Sequence, residues 1–374
     1  MLPELGRQVV ASSAEEPRAE VDAWNAFVDG LRTAGEQLAS DSAGLPESER
    51  ADGYRALLRG LSNQLGRFEV DRDKPELVAF NGWRQKFLMD NPDFRYWVAD
   101  IRPDGRYRIR GNRGDAAYVS ITVYGTGENG AQATARIDSD TMAFGADGGY
   151  ELTVGGDRPP AGDWLDLPER ATVVWVRHFH DGVQTERPGW CGIEPVEVPP
   201  IPAPIESVRF GKQLSKASAV ITHLPRIWNA AASADHQTPN QLRHWSEMTG
   251  GAVFTEPAIQ YVRGGWQLEP DEALLIEGDL VPCRYWNILA YSRFLNSLDY
   301  RHRQVSYTGA TAHLDGGRYR FVVSATDPGP AAGDWIDSEG RAFGIVVMRF
   351  LQPEQQPALP STRVVRIADL AERS

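Results

Sequence analysis

The sequence predicts a mainly β chain with helical additions, an α+β arrangement. Two tandem jelly-roll-like antiparallel β-sandwich repeats are expected, with an N-terminal helical segment and a helical connector. Three observations predict it. Ala161-Gly-Asp-Trp-Leu-Asp166 returns as Ala332-Gly-Asp-Trp-Ile-Asp337. Upstream, Tyr107-Arg-Ile-Arg-Gly111 and Tyr118-Val-Ser-Ile-Thr-Val-Tyr124 reappear as Leu274-Leu-Ile-Glu-Gly278 and Tyr285-Trp-Asn-Ile-Leu-Ala-Tyr291, and downstream Val173-Val-Trp-Val-Arg177 is echoed by Ile345-Val-Val-Met-Arg349, in near-constant register. Between these stretches, short runs of aromatic and β-branched residues are broken by Asp-Gly, Gly-Gly and Pro-Pro, the punctuation of antiparallel strands.

Taken in order, residues 1–95 are expected to be helical. Trp24, Phe27, Val28, Leu31 and Leu38 share one helical stripe; Tyr54, Leu57, Leu58, Leu61, Leu65 and Phe68 share another. Asp73-Lys-Pro75 starts a third expected helix, carrying Leu77, Phe80, Phe87 and Leu88 to a stop at Asn91-Pro92. Residues 96–195 form the first repeat. The prolines from Pro195 to Pro204 suit an extended linker, and the connector runs to 252 as a helix with Val208, Leu214, Ile221 and Leu224 inward until Pro225 loosens the pattern. The second repeat and its tail occupy 253–374. Constant register predicts that 104–180 and 271–350 superpose, Trp164 on Trp335 and Tyr118 on Tyr285.

The 374 residues are enough for several cores, and the formal charge of -12 with pI near 5.2 argues against a nucleic-acid or anionic-membrane partner. Cys191 and Cys283 occupy unmatched places in the repeats, which fits reduced thiols in a cytoplasm rather than a disulfide framework. The first residues have no basic flank before a long apolar run, so no export signal is expected. A homo-oligomer is compatible with all of this.

At Gly111-Asn-Arg-Gly114, the Gly-Asp-Trp-Leu-Asp turn and the strand ending in Arg177, the chain resembles the bacterial family known as domain of unknown function 1214; the second repeat resembles it more loosely. The resemblance implies a jelly-roll-like β domain and brings no catalytic residues with it. Members often carry Asn where Asp163 and Asp334 stand here.

Gly125-Thr-Gly-Glu-Asn-Gly130 spells a dinucleotide fingerprint, but the residues after it alternate like a strand, and phosphate binding there needs a helix N-terminus. His178 and His180 lie on one face of an apparent strand with Asp181 beyond; two imidazoles make half a metal site, so neither metal nor other cofactor is expected. Arg177 and Arg349 share parity with apolar neighbours and need partners, for which Asp163, Asp166, Asp334 and Asp337 are the nearest duplicated acids; alternatively they line a pocket for an anionic ligand. Tyr118 and Tyr124, like Tyr285 and Tyr291, face one side of their strand.

No nucleophile elbow, zinc-protease motif, paired Cys-x-x-Cys or Walker loop is present. Two readings follow: a metal-independent enzyme acting on a small, largely apolar molecule in a cleft between the repeats, or a ligand-binding or assembly module without turnover. The expected cleft has the connector as its wall, with Leu214, Ile221, Leu224, Trp228 and Trp245 burying apolar area. In it, His244, Tyr118 and Tyr285 are the candidate catalytic groups, and Arg177, Arg349, Trp228 and Trp245 the candidate ligand contacts.

Overall fold

The computed structural model describes residues 18–127, 130–199, 201, 204–245 and 255–371. It opens with helices α1 (Ala19–Asp41) and α2 (Glu47–Leu65). Phe27 and Leu38 are buried on α1 as the stripe requires, whereas Trp24 is exposed. The buried face of α2 is narrower than the apolar residues suggest. Tyr54, Leu58 and Leu65 are exposed, while Gly53, Ala56, Leu57 and Gly60 face inward. The small residues decide this. A methyl group at Gly53 would stand 2.9 Å from the Phe294 ring, so the glycine lets the helix approach more closely than a larger side chain could.

The expected third helix is not formed. Residues 66–93 carry no α-helix, only the short strand β1 (Val78–Ala79). Their side chains instead anchor the segment across the molecule. Buried Lys86 donates to the carbonyls of Ser297 and Leu298 at 2.6 and 2.9 Å and sits over the Trp83 and Tyr300 rings. Tertiary contacts thus override the helical spacing of Phe80 and Phe87.

The first repeat comprises β2 (Phe94–Asp100), β3 (Tyr107–Asn112), β4 (Tyr118–Gly127), β5 (Gly130–Asp138), β6 (Gly149–Val154), β7 (Asp163–Leu165), β8 (Ala171–Phe179) and β9 (Trp190–Pro195). Helix α3 (Ser207–His236) and the short β10 (Arg243–His244) lead to the second: β11 (Ile259–Gln267), β12 (Glu272–Asp279), β13 (Tyr285–Tyr291), β14 (Ser306–Thr308), β15 (Leu314–Asp315), β16 (Arg318–Ser324), β17 (Asp334–Asp337), β18 (Phe343–Leu351) and β19 (Ser361–Arg366), with a last turn of helix, α4 (Ile367–Ala371). Pro200, Pro202 and Ala203 of the linker lie outside the described residues, as does 246–254 at the start of the second repeat.

Strand order repeats. The sheets run β1-β2-β8-β4-β5 and β7-β6-β3-β9 in the first unit, and β10-β11-β18-β13-β14 and β15-β16-β12-β19, with β17 on β16, in the second. Trp164 pairs with Thr153 and Trp335 with Val322 at equivalent places, and each indole N–H reaches the carbonyl two residues further along the partner strand, Gly155 or Ser324. Both of these pairings are parallel, in sheets otherwise expected to be antiparallel throughout. The Gly-Asp-Trp motif follows a crossover, so its strand re-enters alongside its predecessor.

Within each unit the two sheets enclose a core. Val119, Ile121, Val174 and Val176 meet Ile109, Leu152 and Val154 in the first; Ile288, Val346 and Met348 meet Leu274, Phe321 and Val323 in the second. The alternate residues of β2, β8 and β4 point out of the first sandwich, and those of β11, β18 and β13 out of the second. These two outward faces meet. Phe94, Tyr118 and Phe179 form one cluster with Ile259, Tyr285 and Leu351, and the Phe94 and Tyr285 rings are 5.5 Å apart. Beside this seam, α3 packs on the second unit: Ile221, Leu224 and Trp228 join its core, whereas Val208 is 57% exposed. Pro225 does not loosen the helix, which runs through it to His236.

Candidate functional site

Register arranges the seam in rungs. Tyr96 pairs with Arg177 and Arg177 with Ser120; equivalently, Tyr261 pairs with Arg349 and Arg349 with Asn287. Each arginine therefore lies between two polar neighbours on a face that its own sequence makes largely apolar.

The two guanidinium groups are satisfied differently. Arg177 donates to the Glu256 carboxylate at 3.1 Å and to the Tyr124 hydroxyl at 2.9 Å. Glu256 also accepts from Ser120 at 2.7 Å, from Thr122 at 3.3 Å and from Arg136, which in turn holds Asp138 and donates to Tyr118 at 2.8 Å. The expected acids are not the partners. Asp163 and Asp334 instead cap loops by accepting from the backbone N–H groups of Ala143 and His313, Asp337 pairs with Arg303 at 2.7 Å, and Asp166 is exposed. Asp163 and Asp334 belong to the other sheet of their sandwich, so strand parity turns the arginines away from them.

Arg349 donates to the Tyr291 hydroxyl at 2.7 Å and to the Met89 carbonyl at 3.4 Å. Leu88 and Met89 both have positive φ, 39° and 64°, and this bend presents that carbonyl to the guanidinium. The nearby carboxyl is that of Asp93, which accepts from Asn287 at 2.9 Å; burial pushes it up to about 6 against the pull of that hydrogen bond and of Arg349.

Tyr96 and Tyr261 stand between the two arginines. Burial raises both phenols, that of Tyr96 well above its ordinary range, Arg349 and Arg177 being the charges that each feels most strongly, so both are neutral hydrogen-bond donors. Deep as they are, both keep part of their surface open, and the Tyr96 hydroxyl has no hydrogen-bond partner among the described residues. Both tyrosines are thus half-buried on the faces that meet at the seam.

Of the residues singled out from sequence, Tyr118, Tyr285, Arg177 and Arg349 gather here. Trp245 stands at the side, its ring 6.4 Å from that of Tyr261 and under the Arg263 guanidinium. Trp228 does not take part: it packs edge-on against Phe294 in the main core. Nor does His244, which pairs with Val262 and so stands on the face of the sheet opposite Tyr261 and Arg349. Three outer clefts, of about 300, 450 and 350 Å³, lie elsewhere along α1, α2, α3 and the edge of the first unit; none is bordered by both repeats.

His178 and His180 are buried and engaged separately, His178 Nε2 with the Tyr150 hydroxyl at 3.0 Å and His180 Nδ1 with Glu186 at 2.6 Å. No group of three metal-ligating side chains occurs among the described residues. The glycines around 125–130 form the β4–β5 hairpin, with no helix to receive a phosphate; Glu128 and Asn129 lie outside the described residues. Sequence reasoning missed Glu256, Asp93, Tyr96 and Tyr261. The last two were within reach, since they fall at equivalent places on the first strand of each repeat.

The segment that contains the first arginine rung also carries a family match. Residues 85–181 match the family described as a protein of unknown function, DUF1214. The matched stretch spans Asp93, Tyr96 and Arg177, and the second repeat, outside that match, shares the strand order and register of the first. Among solved structures, the chain is similar to an uncharacterised protein from Burkholderia cenocepacia, with 27% identity over 94% of this chain and 100% of that one and a TM-score of 0.86. It is also similar in fold to the VPA0106 protein from Vibrio parahaemolyticus, at 11% identity over 90% and 100% of the two chains and a TM-score of 0.51. No curated protein matches. No helix among the described residues is long and apolar enough to cross a membrane.

Proposed function

We propose that this protein binds a small, largely apolar molecule in the seam between its two β repeats, with the body of the ligand against Tyr96 and Tyr261. The observation that carries this reading is that both rings stay partly open although they lie deep between two sheets. Close packing is the rule in interiors, so aromatic rings at a sheet-to-sheet seam that stay partly exposed beside buried donors support a binding site there.

A second reading, turnover of that molecule, is favoured by one group. The Asp93 carboxyl, pushed up to about 6, changes protonation near neutrality, the range that suits a general acid or base. The proposed catalytic role of Tyr285 would then be to donate a proton or hydrogen bond, and that of Tyr118 is weaker because its oxygen already accepts from Arg136 and from Gln352 at 3.1 Å.

Native mass spectrometry of freshly purified protein tests the binding reading. A retained small molecule is expected in the wild type and lost when Tyr96→Trp fills the space. A bare mass, together with no thermal stabilisation by any member of a small amphipathic library, would rule the reading out.

A further inference from the structure

The difference between the two arginine rungs has a local cause. Each repeat is preceded by a turn in which the N–H of its first strand residue bonds back three residues, Phe94 to the carbonyl of Asn91 at 3.2 Å and Ile259 to that of Glu256 at 3.0 Å. Asn91 and Glu256 therefore occupy the same place in the two copies. Each crosses to the opposite repeat: Glu256 reaches Arg177 and Ser120, and Asn91 accepts from Asn287, the equivalent of Ser120, at 3.2 Å. Where the first rung receives a carboxylate, the second receives a neutral amide.

What remains on the second rung is a set of buried donors. Among the described residues, Arg349 Nη1, the Tyr285 hydroxyl and Asn91 Nδ2 have no hydrogen-bond partner, and their residues are 5%, 4% and 1% exposed. Arg349 and Asn287 pair directly, Tyr285 is two residues along the same face of β13, and Asn91 touches Asn287. Asn287 Oδ1, an acceptor without a partner among the described residues, would take a water or the hydroxyl of a bifunctional ligand. Asp93 makes no ion pair within 4 Å of Arg349 and accepts from Asn287 instead.

Resting on the binding reading above, we propose that the ligand of this seam is a small carboxylate, held by Arg349, Tyr285 and Asn91 as Glu256 is held by Arg177, Arg136, Ser120 and Thr122. A carboxylate offers only acceptors, which matches unpaired donors, and the chain supplies the precedent for that chemistry on its own first rung.

The test uses acetate and benzoate against their neutral counterparts acetamide and benzamide, by thermal shift and calorimetry on the full chain. The carboxylates should bind saturably and at least ~10-fold more tightly than the amides, the difference expected for a charge-assisted bond. Arg349→Met should remove that preference. Asn91→Glu, which restores the first rung's arrangement, should raise the melting temperature and abolish the response to carboxylates. If carboxylates and amides bind equally, and equally to Arg349→Met, the seam still binds small molecules but the carboxylate assignment is wrong. If neither carboxylate binds the wild type, the assignment is overturned without any variant; the native mass spectrum then decides separately whether the seam holds another molecule.

Discussion

Asp93 and Glu256 are two carboxyl groups taken out of water at the same seam, and they are compensated unequally. Glu256 meets two arginines and two hydroxyls, whereas Asp93 has the Asn287 amide and the more distant Arg349. A folded Asp93 keeps its proton to about pH 6, while an unfolded aspartate loses it near ~4. Between those values the folded state binds more protons, so this group's contribution to stability falls as pH rises through the window and stays low above it. Asn91, Asn287, Arg349, Asp181 and Glu186 are the polar and charged groups that face it. Asp93→Asn should therefore gain stability over the wild type from pH 4 to 7, by roughly 3 kcal/mol for a shift of about two pK units. Urea unfolding at several pH values checks this, and a difference that stays flat would mean that Asp93 is already ionised when folded. Removing the other carboxyl should act in the opposite direction. Glu256→Ala takes the carboxylate from buried Arg177 and leaves Arg136 with Asp138 alone, and should cost about 3–5 kcal/mol at neutral pH, readable as a drop in melting temperature.

At the scale of elements, the strands and their duplication were legible because alternation and register survive divergence: Tyr118, Tyr124 and Arg177 keep their places in Tyr285, Tyr291 and Arg349. Helix faces were less legible. On α2 the apolar residues mark a broad stripe, but glycine and alanine mark where a neighbour comes close, and close approach chose the buried side. The absent third helix failed for a related reason, since Lys86 and Phe80 are placed by partners far away in sequence. The partner of Arg177 was hidden in the same way, because Glu256 belongs to the leader of the other repeat and no spacing within the first repeat points to it. Close approach also gives a test at this scale. A methyl group at Gly264 in β11 would fall 2.0 Å from the Gln241 carbonyl oxygen, where the chain enters β10, while at Gly192 on β9 it would meet nothing within 4 Å. Gly264→Ala should lower stability by about 2 kcal/mol, and Gly192→Ala should change it by less than about 0.5 kcal/mol. Equal urea midpoints for the two variants would show that the β10 crossing is not tightly seated.

For the whole molecule, duplication explains why a polar seam exists at all. Two sandwiches placed face to face bring their outward rungs together, and the leader of each repeat crosses to the other one, so charges that would be exposed on a single unit become central. One copy closes its rung with Glu256; on the other, buried donors lack acceptors among the described residues. The α3 helix stands at the side of this seam, where Asp235 accepts from Arg263 at 3.0 Å, two residues from Tyr261 along the same face of β11. The measurement that tests the account most directly is a crystal structure of the wild-type protein soaked in bromide, an anion visible by its anomalous scattering. The account predicts a bromide peak between the two sheets, in contact with Arg349 Nη1 and beside the open faces of Tyr96 and Tyr261. Bromide confined to the outer surface, with both tyrosine rings packed against protein atoms on every side, would contradict it.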